Sequence, residues 1–154
     1  VWVSVSATTR PPRPTEVDGV HYHFVSNADF DVLVATDGLL EWATVHGRDR
    51  YGTPSAPVEA AVERGERVIL EIDLQGARQV RQRLPGARLV FIAPPNWAEL
   101  VNRLVGRGTE TAEQRERRLR TAQVELAAAD EFDHVVVNDD LGRAVDDLVS
   151  LLGL

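Results

Sequence analysis

The sequence contains no lysine: all 17 of its basic residues are arginine. A Walker-type phosphate loop needs a Gly-rich backbone and a lysine reaching the terminal phosphates, so these 154 residues cannot contain one. Cysteine is absent too, which removes disulfides, thiolate-bound zinc and thiol nucleophiles together and leaves a reducing cytoplasm as a compatible setting. There is no methionine, so the sequence does not open on the ordinary initiator residue. No apolar run approaches the roughly 20 residues of a membrane-spanning helix. Arg10 and the prolines beside it arrive too early for the apolar stretch of a signal peptide. Positive charge is scarce: 24 acidic residues against 17 arginines give a formal charge of -7, which argues against a non-specific nucleic-acid binder. An anionic ligand therefore has to be met by arginines focused at one place.

What is present has the length of one domain with a core and falls short of two. Val1, Val3 and Val5 alternate with Trp2, Ser4 and Ser6 as in a strand, which the prolines end. "HYHFV" (21–25) predicts a second short strand, and "NADFDVLVATDG" a short helix capped by Asn27 and stopped by Gly38. "LLEWATV" (39–45) reads as a strand and "RDRYGTP" as its turn. Pro57 through Arg64 suits a helix, with proline near its start and Gly65 just past its end. "RVILEID" (67–73) and "ARLVFIAPP" carry the near-continuous apolar runs of buried parallel strands, with helical "LQGARQVRQRL" between them. "NWAELVNRLVGRG" predicts an amphipathic helix running into glycines, and Thr111 to Asp130 the longest helix. "HVVVND" predicts the last strand and "LGRAVDDLVSLLGL" the last helix. The alternation from residue 67 onward argues for a parallel α/β sheet with crossovers, and residues 21–53 for a smaller strand-rich insertion.

Several residues could carry chemistry. Glu71 and Asp73 lie at a strand's carboxyl end, where ligands of parallel sheets collect, and their spacing puts them on one strand face. Such a pair can hold Mg²⁺ through water or accept hydrogen bonds from a base; it can equally cap the next helix. Arg10 and Arg13 stand in a Pro-stiffened loop beside Ser6, Thr8 and Thr9, and a guanidinium fork matches phosphate oxygens. A polyproline linker with solvated arginines is the plainer reading of that stretch. Tyr22 and Tyr51 can each donate to a phosphate oxygen or simply be half-buried structural rings. His21 and His23 share a strand face but have no evident third metal ligand nearby. Glu41 is an acid among apolar neighbours. A guanine edge offers N1–H and N2–H₂ side by side to one carboxylate, while its O6 seeks a donor such as Thr53 or Ser6. Adenine offers neither pattern, so an acid plus a hydroxyl would separate the two bases. The alternative is a strand acid facing solvent. Arg103, Arg107 and Arg118 surround two glycines, which suits either a lid that brings charge onto a reacting phosphate or a flexible connection with a solvated basic face. Asn138, after the last strand, could touch a ligand or cap the last helix.

The order of "SVSATTRPPRPTEVDGVHYHFV", "LLEWA", "YGT", "EIDLQGA", "FIAPP", "RLVGRGTET" and "VVVNDDL" resembles the guanylate kinases, of the nucleoside monophosphate kinase class, over essentially the whole chain. The resemblance implies an α/β fold: a P-loop-type parallel sheet core, a strand-rich GMP-binding region at 7–53 and a helical lid at 103–118 within one domain, 1–154. It implies that Arg10, Arg13, Tyr22 and Tyr51 bind the phosphate of GMP, and that Ser6, Glu41, Thr53 and Asp73 surround its guanine. Glu71 matches an acid near the metal and phosphates. Arg103, Arg107 and Arg118 resemble the lid arginines that clamp the transferring group, and Asn138 a residue near the adenine of ATP. The implied reaction is ATP + GMP to ADP + GDP with Mg²⁺, by in-line attack of a GMP phosphate oxygen that is already anionic near neutral pH and needs no general base. GMP and ATP are the implied partners, without nucleic acid or membrane, and the cytoplasm the implied location.

One departure stands out. The family places a strand, a Gly-rich loop ending in Lys-Ser/Thr and a helix ahead of "SVS", where this sequence has only Val1 to Val3. The expectation is a chain lacking the first core strand and the P-loop, with its GMP half complete, its ATP half broken and a gap in its core. A non-catalytic guanylate-kinase-like module that binds GMP or phosphorylated peptides would also lack that loop. Glu41, Thr53 and the lid arginines argue for the enzyme, since a peptide binder has no use for them.

Overall fold

The computed structural model describes residues 1–45, 47–105 and 111–153. The backbone forms two compact units, Val1–Ala87 and residues from Arg88 onward. Both contain strands and helices, as the α/β expectation requires, but the parallel pairs expected in one core sheet fall in two separate two-stranded sheets, one in each unit.

In the first unit the opening alternation does not make one strand. It splits into β1 (Trp2–Val3) and β2 (Ala7–Thr8), which join different sheets. β1 runs parallel to β6 (Val68–Ile69), pairing Trp2 with Val68 and Val3 with Ile69. "RVILEID" is therefore a strand over two residues only, and half-buried, not a long buried one. Its partner spans two residues, so the ladder ends there and residues 70–73 leave it for α3 (Leu74–Arg83).

The second sheet has the order β3-β2-β5-β4, with β3 at His23–Phe24, β4 at Leu39–Val45 and β5 at Asp49–Pro54. β2 is parallel to β3 and antiparallel to β5, and β5 is antiparallel to β4. "RDRYGTP", expected as a turn, is thus mostly strand β5. Its Asp, Arg, Gly and Pro have little intrinsic strand preference, and cross-strand pairing with the apolar β4 overrides it. The edge strand β4 is fastened from outside by α3: Gln79 donates to Trp42 O (2.7 Å) and accepts from Trp42 N–H (3.1 Å), while Arg83 donates to Leu39 O (2.9 Å). These side chains meet backbone groups that an edge strand otherwise leaves to water.

Helix α1 (Asn27–Ala35) is capped by Ser26 rather than Asn27, in a reciprocal capping box with Asp29. Ser26 Oγ accepts from Asp29 N–H at 3.1 Å, and Asp29 Oδ2 reaches back to Ser26. Serine wins because its side chain sits one residue earlier, where the backbone is still extended. Ser26→Ala is expected to lower stability by about 1 kcal/mol, read from urea unfolding. The helix delivers Phe30 into a cluster with Ala7 and Leu39, flanked by Val25, Leu33 and Val34. Helix α2 (Ser55–Glu63) starts earlier than expected, and Gly65 follows its end as foreseen.

In the second unit β7 (Val90–Ala93) and β8 (His134–Val137) pair in parallel, residue by residue from Val90–His134 to Ala93–Val137. β7 is not the buried strand its composition suggested: Ile92 is 46% exposed. Strand–strand pairing covers its backbone, while burial needs helices on both faces. Helices α4 (Trp97–Val105), α5 (Ala112–Ala127) and α6 (Leu141–Leu152) complete this unit. Phe91 and Phe132 meet edge to face at 5.2 Å between centroids. Among the described residues no helix is long and apolar enough to cross a membrane.

Candidate functional site

Two clusters of the singled-out residues form, one in each unit. In the first unit, β4 and β5 place Glu41 directly opposite Thr53. Glu41 is only 4% exposed, so the reading of a strand acid facing water is wrong. Its Oε1 accepts the Thr53 hydroxyl at 2.6 Å, and Thr53 is itself buried. Burial first, and then the negative charge of Asp73, raise the Glu41 pKa above the ordinary carboxylate value, against the hydrogen bond from Thr53. Asp73 is the N-cap of α3, with Oδ1 accepting from Gly76 N–H at 2.8 Å. The capping role anticipated for this acid is thus real, and its charge is also felt at Glu41. Glu71 and Asp73 do not share a strand face, because the strand ends at Ile69; Glu71 is exposed.

Glu41 packs against the first turn of α3 at Gly76. A Cβ on that residue would lie 2.4 Å from Glu41 Oε2 and 3.0 Å from its Cδ, closer than side chains approach. Glycine is what allows a carboxylate to lie against this turn. Ser6 is half-buried just before β2.

The second part of this cluster is cationic. Arg10 follows β2, and its side chain is 14% exposed, not the solvated arginine of a linker. Its Nε donates to Tyr51 Oη at 3.1 Å, joining two residues singled out separately. Its Nη1 and Nη2 grip Glu16 with two prongs, at 3.0 and 2.9 Å. The guanidinium lies 5.5 Å from the Tyr22 ring centroid and 5.7 Å from that of Phe24. Tyr22 in turn meets Tyr51 edge to face at 5.7 Å. The Glu16 hydrogen bond is the main reason the Arg10 pKa is raised above its already high ordinary value. Arg13 behaves differently: its side chain is 69% exposed, while its backbone N–H donates to Glu16 Oε2 at 2.7 Å. The Arg10 contact, then the Arg13 N–H, hold Glu16 down at about 2.

In the second unit a cleft of about 260 Å³ opens at the carboxyl ends of β7 and β8, the place where parallel sheets receive ligands. Arg103, Arg118 and Asn138 line it, with Pro94, Leu100 and Leu104 as apolar wall. Arg103 sits on α4, bridging to Glu99 at 3.0 Å and donating to Asn138 O at 3.1 Å. The last helix is capped by Asp140, so capping is not what Asn138 does. Arg107 lies outside the described residues.

Glu16, Gly76 and Gln79 were not among the residues singled out from sequence. Only Glu16 left a signal there, as the one acid beside two arginines in "RPPRPTE".

The guanylate kinase family model matches residues 1–153. The guanylate kinase of Cutibacterium acnes is 64% identical over 152 residues, covering 99% of this chain and 76% of that protein. That of Leifsonia xyli subsp. xyli is 60% identical over 152 residues, covering 99% of this chain and 60% of the relative. The crystal structure of guanylate kinase from Anaplasma phagocytophilum superposes with a TM-score of 0.82 at 32% identity, over 98% of this chain and 73% of that one.

Proposed function

The chain belongs to the guanylate kinase family, and from that premise we propose that its first unit is the GMP-binding half of an ATP:GMP phosphotransferase. The observation that carries this reading is the buried Glu41–Thr53 pair, an acid and a hydroxyl side by side. Ionised Glu41 accepts guanine N1–H and N2–H₂, and the Thr53 hydroxyl, or Ser6, turns to O6. Asp73 borders the same base. Residues 7–53 form the GMP-binding region. Arg13 and the Tyr51 and Tyr22 hydroxyls meet the phosphate, and Arg10 supplies the charge behind them. A phosphopeptide would leave the Glu41–Thr53 pair without a partner, so the nucleotide is the better fit.

In the second unit, Arg103 and Arg118 neutralise charge that builds on the transferring phosphoryl group, and Asn138 borders the adenine of ATP. Residues 103–118, with Arg107, act as the lid. Attack by an already anionic GMP oxygen leaves the protein to align and to stabilise charge, not to move a proton. Mg²⁺ is bound elsewhere through one or two carboxylates plus substrate phosphates. Exposed Glu71 fits that donor set, with Asp73 keeping Oδ2 after its cap bond. The ion would screen the charge of the nucleotide phosphates. With no lysine for an ATP phosphate loop among these 154 residues, the chain alone is expected to hold GMP without turning it over.

The test is thermal unfolding with GMP, AMP and ATP·Mg²⁺ in turn. GMP at about 100 times its Kd should stabilise by roughly 2.7 kcal/mol and AMP should not. Equal shifts with GMP and AMP would sink the guanine assignment, and GDP formation by the chain alone would sink the inference about ATP.

A further inference from the structure

The chemistry proposed above leaves Glu16 without a role, yet its carboxylate holds both arginines of the cationic corner. Its carboxylate takes two prongs from Arg10 and the backbone N–H of Arg13, and its own N–H donates to Arg13 O at 3.0 Å. It thereby closes the loop from Arg10 to Glu16 and fixes the roll of the Arg10 guanidinium about its own axis. That roll matters for Tyr51. A guanidinium has five N–H donors in a rigid fork. Pro11 O and the two Glu16 oxygens occupy three of them, which aims Nε–H at the Tyr51 Oη. A phenol oxygen that accepts from a cation has its proton to give elsewhere, and a phosphate oxygen is the acceptor that such a donor suits.

We propose that Glu16 is a positioning residue: its carboxylate locks Arg10 so that the Tyr51 hydroxyl presents only its proton to the ligand's phosphate, and it pins the backbone from which exposed Arg13 reaches the same phosphate. This rests on the reading of residues 7–53 as the GMP-binding region. Two arginines share the one carboxylate, so the corner keeps a net positive charge, and protein groups alone hold Arg10, so little ordering is left to be done when the nucleotide arrives. The opposite possibility, that Glu16 is an internal competitor occupying the phosphate's place on Arg10, predicts the reverse sign.

Calorimetric titration of the chain and its Glu16→Gln variant with GMP, guanosine and inorganic phosphate separates these. Glu16→Gln is expected to weaken GMP about tenfold to a hundredfold, to leave guanosine within about twofold, and to lose the slowly exchanging Arg10 Nε–H signal in nitrogen-15 NMR spectra. Glu16→Asp keeps the charge but is one methylene short, and should lose less GMP affinity than Glu16→Gln. Unchanged or tighter GMP binding would overturn the proposal. So would equal loss of GMP and guanosine, which would mean that Glu16 supports the fold at large. If Glu16→Gln did not fold, the Glu16→Asp comparison would decide by the same criterion. If the unaltered chain failed to prefer GMP to AMP, the functional reading would fall. The Arg10 signal and its response to inorganic phosphate would then still decide whether Glu16 does the positioning.

Discussion

Glu41→Gln should abolish the chain's preference for GMP over AMP. A glutamine offers one acceptor and one donor where guanine presents two donors, so one hydrogen bond is lost and its site becomes a donor facing a donor. Each such bond to a charged group contributes about 1.5–3 kcal/mol, so GMP affinity is expected to fall roughly a hundredfold or more. Adenine offers an acceptor at N1 and only C2–H where guanine has N2–H₂, so AMP gains a single hydrogen bond, from the glutamine N–H to N1. The fold should not suffer: the glutamine carbonyl can still accept the Thr53 hydroxyl, and a desolvated charge is removed. Loss of GMP binding with unchanged or higher Tm is the expected pair of results; a large drop in Tm would assign Glu41 to stability.

The same residue sets a pH dependence. Its folded pKa is raised above the ordinary 4.5, so the folded state holds this proton more tightly than the unfolded chain. Its contribution to stability is present below 4.5 and lost as pH rises through the raised folded value. The Tm gap favouring Glu41→Gln should therefore open as pH climbs from 4.5 to the raised folded value and level off above it. GMP affinity should rise over the same window, since only the ionised carboxylate accepts both guanine donors. Glu16 acts in the other direction. Held at about 2 against 4.5, it contributes stability above 4.5 that disappears as pH falls toward 2. Titrating Tm in both variants separates the two carboxylates.

Gly76→Ala should be destabilising where helix propensity says it should help. Within a helix the exchange ordinarily gains about 0.5–1 kcal/mol. Here the new Cβ would sit 2.4 Å from Glu41 Oε2 and 3.2 Å from Ile72 Cβ. Glu41 cannot swing away easily, being 4% exposed and tied to Thr53 at 2.6 Å. Overpacking of this kind costs about 1–3 kcal/mol, and it displaces the carboxylate that reads the base, so GMP affinity should fall with Tm. Adding Glu41→Ala to Gly76→Ala removes the clash: Tm should recover while GMP preference stays lost. A single Gly76→Ala variant that is more stable and still binds GMP would refute the close approach.

The features legible in the sequence are those set by near neighbours. Gly65 ends α2, Asp73 caps the helix it precedes, and the mostly apolar "LLEWATV" is the strand it reads as, because each depends on residues within a turn or two. Ser26 displaced Asn27 as a cap by a margin of one residue, since two capping side chains stood side by side and only the backbone angle chooses. β5 was illegible because its residues disfavour strands and its partner supplies the ladder. The burial of Glu41 was left open between solvent and site, since one acid among apolar neighbours does not say which face a helix covers. α3 covers that face, held to β4 by Gln79 and Arg83 across sequence separations of 37 and 44.

The sequence by itself determined the residue types: arginine as the only strong cation, one acid and one hydroxyl to read a base, and the order of motifs that marks the family. Only the tertiary structure decided their states. It buried Glu41 against Gly76 and raised its pKa, left Arg13 exposed while enclosing Arg10, and turned an unremarked Glu16 into the carboxylate that orients it. Charge and hydrogen-bonding capacity belong to a side chain wherever it stands, and a sequence states them. Desolvation and direction belong to the surroundings, which residues distant along the chain supply.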